Sequence, residues 1–486
     1  MENRNKGRVV VFMSLIISVL LVLLTVVFQV VIQSAAKSKT VIASQLSVSD
    51  IKACYNNYIF EHYHILLFDK TMGGKGEAYV ETLLQTYYED KLGAEYTDKN
   101  VEITEFHMLT DKDGAPFQEQ MQAYITYALA QQAAQAAVDE IKAKTDGHDG
   151  TLPADLEQDM DEAEKKSENP GDTEEQNEQE TEHQPDGASD AKEESAEDPR
   201  DYTKKLSSSA ILNLVLPDDK TVSGAVASLS ELPSHAQSGK QDDYEEVERD
   251  FGSMKAMKKG LKTLGSWQDA LVDTGAQAAY IPLVFNSFME QKNDTSVLQY
   301  EQEYLIAGKA SDQENLKSVA HRMIGLRYPM NYVSLCAQAD KMAELHSLAA
   351  SLSAAAPYLI PVVKYLLAGC WAYVESIADV KVLFDGKKAA AVKTSENWIT
   401  DLSHIRESLS KDTKEVKNGL DYQAYLTILQ LMKTDRTRNR MLDLIQINTR
   451  QKQDAFRIRN AAVGFEADFE SSFQNRGFYY HQSVEY

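Results

Sequence analysis

The sequence has little cysteine, and it has fewer basic residues than acidic ones. Its three cysteines, Cys54, Cys336 and Cys370, are an odd number at wide spacing, which excludes a disulfide framework and a zinc-site pattern. We expect all three to be buried apolar residues. Lysine and arginine total 50 against 74 aspartate and glutamate, so the formal net charge is −24. A chain of that charge repels nucleic acid, and no nucleic-acid partner is expected.

The motifs that mark common enzymes are also missing. No P-loop, GxSxG elbow, HExxH, CxxC or complete Rossmann fingerprint is present. Gly73, Gly74 and Gly76 lack the spacing that cradles phosphate, and they predict a break after a helix. We therefore expect no enzyme activity and no cofactor, and we assign no catalytic, cofactor-binding or metal-ligating residue.

Much of the acidic excess lies in one segment. Residues 151–200 hold 19 acidic and 4 basic side chains, a net charge of −15. From residue 145 to residue 205 the chain loses its apolar periodicity and fills with Glu, Asp, Gln, Ser and Pro. Such a composition cannot bury enough apolar surface to fold. We predict a disordered acidic spacer over 145–205, between regions 33–144 and 206–486.

One long hydrophobic run lies near the N-terminus. Residues 9–32 contain no charged side chain. As a helix they span about 36 Å, enough to cross a bilayer with some tilt. The run exceeds the apolar core of a cleavable signal peptide, so we expect an uncleaved transmembrane helix in contact with membrane lipid.

Charges on either side of this run predict its orientation. Three basic residues precede it and two follow it: Arg4, Lys6 and Arg8, then Lys37 and Lys39. The positive-inside rule makes residues 1–8 a cytoplasmic tail and places the C-terminal domain outside the cell membrane. The alternative is a cytoplasmic C-terminal domain held at the inner face.

Region 33–144 reads as helices around one strand. The apolar spacing continues the transmembrane helix as a stalk from Gln33 to about Asp69. A helix follows over 76–92, and Val101–Leu109 is typical of a strand with a phase slip at Glu105. After a turn at Asp111–Gly114, the next helix is predicted from Pro116 to about Lys144.

Region 206–486 is predicted to be one large, mostly helical domain that opens with a strand at Ile211–Pro217. Ser311 and Glu314 have capping-box spacing, and the helix that they begin is expected to end at Tyr328-Pro329. The apolar stretch Tyr358–Tyr373 is interrupted by proline and lysine, which indicates a buried core helix.

A second strand is predicted at Val463–Phe469, where apolar residues alternate with polar ones and glycine. The predicted class is α+β, mostly helical. This strand and the one at Val101–Leu109 are candidates to pair. In that case the spacer is an insertion within one domain.

Two groups of side chains are candidates for metal binding. His62 and His64, beside Glu61, share a face only on a strand, and the helical spacing around them favours a structural role. A second group precedes the acidic run, but it lacks the glycine and glutamate positions of an EF-hand and is interpreted as solvated charge. It comprises Asp146, His148 and Asp149.

Three further groups of polar residues are candidates for chemistry or binding. Tyr300–Tyr304 contains two glutamates that could act in acid–base chemistry, but we interpret it as a salt-bridged structural segment. Trp371, Glu375 and Asp379 follow one another at helical i, i+4, i+8 spacing and are favoured as packing residues. A basic helical face suits anionic lipid or the acidic spacer, with simple solvation as the default. Its residues are Lys255, Lys258, Lys259 and Lys262.

Several stretches together resemble a known but uncharacterised family. They are GRVVVFMSLI, EHYHILLFD, LQYEQEYLIAGKASDQENLK, AYVESIADVKVLFDGKK and MLDLIQINTR. The chain resembles a domain-of-unknown-function family of membrane-anchored proteins from Gram-positive anaerobes. Members accompany tight-adherence (Flp) pilus components and are similar in layout to TadE- and TadG-like pseudopilins. Pilins generally have Glu at the fifth position after their peptidase site, whereas counting from Arg8 places Phe12 there.

The resemblance implies a membrane-anchored, pseudopilin-like component of a tight-adherence pilus or secretion apparatus. Its partners are then other pilus or secretion proteins, contacted through helix packing. Two alternatives stay open from the residues. One is a surface adhesin or sensor, and the other is a metal-dependent surface hydrolase that uses the His62 and His64 region or the C-terminal domain.

Overall fold

Helix α1 (Glu2–Lys52) is continuous, and it contains the whole apolar run at residues 9–32. The N-terminal apolar helix expected from the sequence is therefore present. Its stalk is shorter than predicted, because Asn56 begins a new helix. The Asn56 side chain accepts a hydrogen bond from the backbone N–H of Ile59 at 3.2 Å, and α2 (Asn57–Tyr63) follows.

The computed structural model describes residues 2–128, 203, 206, 211–234, 275–409, 416, 419–432 and 434–486. Most of them are helical with a few antiparallel strands, which confirms the predicted α+β class. The chain divides into two compact units. The first consists of Met1–Tyr124 with Ile445–Tyr486, and the second of Ile125–Leu444.

The first unit is a four-stranded antiparallel sheet with helices. Strand β3 (Ala461–Phe473) is central, with β2 (Thr97–Met108) along one side. Along the other side lie β4 (Arg476–Glu485) and the short β1 (Phe68–Asp69). Its remaining helices are α3 (Glu77–Leu92) and α4 (Asp111–Ala128), and the first turn of α4 contains left-handed residues at 112–114.

Pairing between β2 and β3 joins residues from opposite sides of the spacer. Val101 lies opposite Phe469, and Phe106 lies opposite Phe465. A register shift between Ile103 and Glu105 forms a bulge where the phase slip was predicted. The predicted strands and their pairing are therefore present. The linear division into 33–144 and 206–486 does not match the two units, because the last 42 residues fold with the first unit.

The core of the first unit lies between the sheet and two helices. Ile51 of α1 and Tyr88 of α3 are fully buried, as are Phe465 and Phe469 of β3. The Tyr88 and Phe469 rings meet edge to face at 5.0 Å between centroids. Since alternate residues of β3 point to this core, the sheet buries one face against α1 and α3.

The second unit is helical in its described residues. Its segments before residue 338 are α5 (Leu212–Val215), α6 (Gly275–Val284), α7 (Glu301–Ala307) and α8 (Asp312–Cys336). Those after it are α9 (Ala339–Leu352), α10 (Ile360–Phe384), α11 (Ile405–Ser408), α12 (Tyr422–Leu431) and the start of α13 (Thr434–Arg450).

The predicted strand at Ile211–Pro217 is wrong. Residues Leu212–Val215 form a single helical turn, and Ile211, Leu212 and Val215 are buried in the helical core. Spacing of i, i+1 and i+4 puts these apolar side chains on one side of a turn. Tertiary burial therefore overrides the β propensity of the segment.

Helix α8 begins as predicted and ends later than predicted. The Ser311 hydroxyl caps the helix by accepting from the backbone N–H of Glu314 at 3.3 Å, and it donates to the Glu314 carboxylate at 3.2 Å. The helix continues through Pro329 to Cys336. Tyr328, Met330 and Tyr332 are buried around the proline, and this packing offsets the lost backbone hydrogen bond.

Helix α10 contains the predicted core stretch from Ile360 onward and extends beyond its end to Phe384. In the part of the chain that the structure describes, two helices are long and apolar enough to cross a membrane, α1 and the one over Pro357–Phe384. The most apolar window of the second is 56% buried inside the protein, against 0% for the first. The core-helix interpretation of Tyr358–Tyr373 therefore agrees with its burial.

Phe465 tests the core of the first unit. Its ring is fully buried and lies 6.0 Å from that of Phe68. Phe465→Ala should lower the free energy of unfolding by about 3–5 kcal/mol, because it removes buried area and leaves a cavity. Denaturant unfolding of the detergent-solubilised protein measures the change. Tyr479→Ala on the exposed side of β4 is the control, and a loss of equal size there would contradict the assigned core face.

Candidate functional site

The apolar part of α1 is exposed along its length. Side chains from Val9 to Ile32 are 42–68% exposed where they are large and hydrophobic. Three hydroxyls in this stretch, those of Ser14, Ser18 and Thr25, donate to the carbonyl three residues earlier at 2.7–2.8 Å. A helix whose backbone and hydroxyl groups are satisfied internally suits a lipid environment.

The next part of the same helix is buried against the sheet by small side chains. Ala36, Thr40, Ala43 and Ser47 follow at i, i+4, i+7 and i+11, and each is 5% exposed or less. The Tyr96 hydroxyl donates to the Ala36 carbonyl at 3.0 Å, which is possible because no large side chain covers that backbone. The small-residue spacing was a signal in the sequence that our prediction did not use.

The end of the helix is held by the C-terminal strand. The Lys52 ammonium donates to the Glu485 carbonyl at 2.7 Å, and the Tyr486 hydroxyl donates to the Lys52 carbonyl at 2.6 Å. Burial raises the pKa of Tyr486 well above its usual range. The apolar half of α1 is thus continuous with a half that is fixed to a folded sheet.

The predicted histidine pair does not share one face. His62 lies in the last turn of α2 with its ring 4.4 Å from that of Tyr58. His64 has left-handed backbone and stacks on Tyr124 at 4.1 Å. Burial, and then the nearby His62, lower the pKa of His64. Among the described residues, no group of three or more His, Cys, Asp or Glu side chains is placed to hold a metal ion.

The other sequence candidates fall into two groups. Gly73, Gly74 and Gly76 all have positive φ and form the turn before α3, as predicted. The acidic candidates Asp146, His148 and Asp149 lie outside the described residues. So do the basic candidates Lys255, Lys258, Lys259 and Lys262.

Tyr300–Tyr304 is buried, and hydrogen bonds hold its carboxylates. Glu301 accepts from the backbone N–H of Asn286 at 2.9 Å. Glu303 accepts from the N–H of Phe288 at 2.9 Å and from the Tyr422 hydroxyl at 2.7 Å. The expected salt bridge is therefore not what holds Glu303. Burial raises the pKa of Glu303 to about 7, because its charged form is desolvated.

Glu375 and Asp379, placed on one helix face by their spacing, belong to a buried group of four charges. The other two are Arg327 of α8 and Lys393, which follows α10. All four side chains are at most 1% exposed, and two positive charges face two negative ones. We call these four residues the charge cluster. The sequence predicted packing for its acidic half and did not identify the two basic residues.

Each member of the charge cluster has several partners. Lys393 Nζ donates to Glu375 Oε1 at 2.6 Å and lies 2.6 Å from Asp379 Oδ1. Glu375 also accepts from the backbone N–H groups of Ile399 and Thr400 and from the Thr400 hydroxyl, at 2.8–2.9 Å. Dense hydrogen bonding of this kind is what buried charges require.

Arg327 connects the cluster to its surroundings. Its guanidinium donates to Asp379 Oδ2 from Nε at 2.9 Å and from Nη2 at 2.6 Å, and also to the Tyr425 hydroxyl at 3.0 Å. Burial alone favours a neutral Asp379, but Arg327 and Lys393 outweigh it and lower the pKa of this carboxyl. Asp379 and Glu375 likewise outweigh burial and raise the pKa of Lys393.

Residues 189–473 match the model of a family described as a family of unknown function (DUF5702). This span covers more than half of the chain and includes the charge cluster. No curated protein and no solved structure matches the chain.

The charge cluster predicts a large mutational effect. Arg327→Leu leaves Asp379 buried without its main partner and should cost about 3–5 kcal/mol of stability, since an unpaired buried charge is strongly unfavourable. Lys387→Met is the matched control, because its ion pair with Asp385 is partly exposed and should contribute less than about 1 kcal/mol. Chemical denaturation compares the variants. Equal losses of stability at both sites would show that burial does not increase the cost of breaking an ion pair.

Glu303 predicts a pH dependence. Its pKa is raised from 4.5 to about 7 in the folded chain, so its contribution to stability is full below pH 4.5 and is lost as pH rises through 7. Glu303→Gln removes this titration. The stability of the natural chain relative to the variant should fall by on the order of 3 kcal/mol across that window. Denaturant unfolding of both proteins at each pH measures this change. A difference in unfolding free energy that stays constant with pH would refute the raised pKa of Glu303.

Proposed function

The chain belongs to DUF5702, a family of unknown function, and we propose that it is a membrane-anchored, non-enzymatic cell-surface component with a pseudopilin-like role. In this role it is a structural or assembly part of a tight-adherence pilus or secretion apparatus. The observation that carries the proposal is the two-part helix α1, apolar and exposed before residue 33 and buried on a sheet after it.

A two-part helix of this kind suits lateral assembly in a membrane. The apolar half contacts lipid and neighbouring helices, while the buried half transmits any displacement to the folded unit without a flexible joint. Association of membrane helices depends on close packing and on small polar side chains, and this stretch carries Ser14, Ser18 and Thr25. The anchor-first layout is also the layout of the pseudopilins that the chain resembles.

The outward orientation rests on the flanking charges. Three basic residues precede the apolar run and two follow it, which favours a cytoplasmic tail at residues 1–8. An acidic spacer and a large C-terminal region outside the cell are compatible with a surface apparatus.

A non-enzymatic role is supported by the burial of the most concentrated charges. The charge cluster has side chains that are at most 1% exposed, so a diffusing substrate has no access to it. His62 and His64 make ring contacts with tyrosines rather than facing one another. These observations favour assembly over hydrolysis.

Affinity isolation from gently solubilised membranes tests the proposal. The tagged full chain should recover pilus-assembly or secretion proteins. A matched variant replaces residues 9–32 with an alternating Leu/Ala segment of the same length, and it should stay in the membrane fraction but lose these partners, since only the helix surface has changed.

Two outcomes contradict the proposal. One is recovery of no such proteins, combined with normal piliation in a deletion strain. The other is release of the mature protein into solution without its first helix. Specific binding of wall polymer or host surface by the C-terminal region would favour the adhesin alternative instead.

A further inference from the structure

Lys393 lies between two carboxylates in a site closed to solvent. Its Nζ atom is 2.6 Å from Glu375 Oε1 and 2.6 Å from Asp379 Oδ1. Lys393 is 1% exposed, and both carboxylates are 0% exposed. A buried amine held against an oxygen of one carboxylate, with a second carboxylate within proton-transfer distance, has the components of an acyl-transfer site.

The two oxygens of Asp379 are held differently. Oδ2 accepts from Arg327 Nε and Nη2 at 2.9 and 2.6 Å and from Asn331 Nδ2 at 2.8 Å. Oδ1 faces the Lys393 ammonium at 2.6 Å, and no other donor among the described residues bonds to it. One oxygen is therefore held by Arg327 and Asn331, which can stabilise negative charge, and among the described residues the other contacts the amine that would attack.

We propose that Lys393 and Asp379 become joined by an amide bond, an intramolecular cross-link that the folded chain forms without another protein. Glu375 is the proton carrier, and Arg327 and Asn331 stabilise the charge that develops on Asp379 Oδ2.

The reaction is a condensation that releases one water molecule. The Lys393 ammonium passes a proton to Glu375, and the freed lone pair on Nζ attacks Asp379 Cγ. Because Asp379 starts as a carboxylate, the attack leaves one negative charge on each oxygen. Arg327 and Asn331 stabilise the charge on Oδ2, and the charge on Oδ1 is removed by protonation. Glu375 then delivers that proton, and a second one from Nζ, to Oδ1. The Cγ–Oδ1 bond breaks and water leaves, while Glu375 returns to its starting state.

Charges balance before and after the condensation. The ammonium and the carboxylate together carry no net charge, and neither does the amide. Arg327 and Glu375 remain as one positive and one negative charge, and the new carbonyl oxygen keeps the Arg327 and Asn331 donors. No oxidant, reductant or cofactor enters the reaction.

The fold favours this condensation in two ways that are missing in water: it holds the reacting groups together, and it excludes solvent from the product. Holding amine and carboxyl together gives an effective molarity on the order of 10⁵ M or more when the geometry is favourable. Opposite charges keep Lys393 and Asp379 ionised, so the first proton transfer is uphill and the reaction is expected to be slow. Burial then protects the product, because water for the reverse hydrolysis is excluded.

Mass spectrometry of the folded, full-length chain tests the cross-link. Its intact mass should be lower by one water molecule than the mass of the sequence. Trypsin should yield a branched peptide that joins residues 365–381 to residues 389–406, because a modified Lys393 is not cleaved. Fragmentation should place the branch at Asp379. A folded chain of full mass with cleavage after Lys393 would overturn the proposal.

Two variants test the part assigned to Glu375. Glu375→Gln keeps the side-chain shape and removes the proton carrier, so the branched peptide should disappear and the full mass should return. Glu303→Gln changes another buried glutamate outside the cluster and should keep the cross-link. Cross-linking in Glu375→Gln would refute the proton-carrier role. If Glu375→Gln does not fold, the intact mass and the tryptic peptides of the natural chain still show whether the bond forms.

Discussion

The ladder between β2 and β3 is the interaction on which the architecture depends. It pairs a strand before the acidic spacer with a strand near the C-terminus, and its bulge sets the register so that Phe465 and Phe469 face the core. A slip of one residue would turn these rings to the solvent face. Because α1 packs on the resulting sheet, this apolar helix acquires a fixed folded base only when both ends of the chain have come together.

Desolvation is the second constraint, and it governs the other unit. Four charged side chains are removed from water together, and each is tolerated because opposite charge and hydrogen bonds surround it. The same arrangement places an amine, an acyl carbon and a proton acceptor within reach of one another. A cluster that stabilises the fold as ion pairs can thus also be the precursor of a covalent bond.

The polar sites were only half predictable. Spacing in the sequence grouped Trp371, Glu375 and Asp379 on one helix face, since helical periodicity is a local property. Arg327 and Lys393 lie on other segments, and no local pattern connects them to that face. The raised pKa of Glu303 was equally hidden, because burial is set by neighbours distant in sequence.

Local properties of the sequence determined the N-terminal apolar helix, the strand with its phase slip, the capped start of α8 and the mostly helical α+β class. These depend on hydrophobic length, side-chain alternation and capping chemistry, which act over a few residues. Only the tertiary structure decided that Leu212–Val215 is helical, that α8 passes through Pro329, and that the last strands fold with the first helix. Each of these follows from burial against distant residues, whose free energy outweighs local preference.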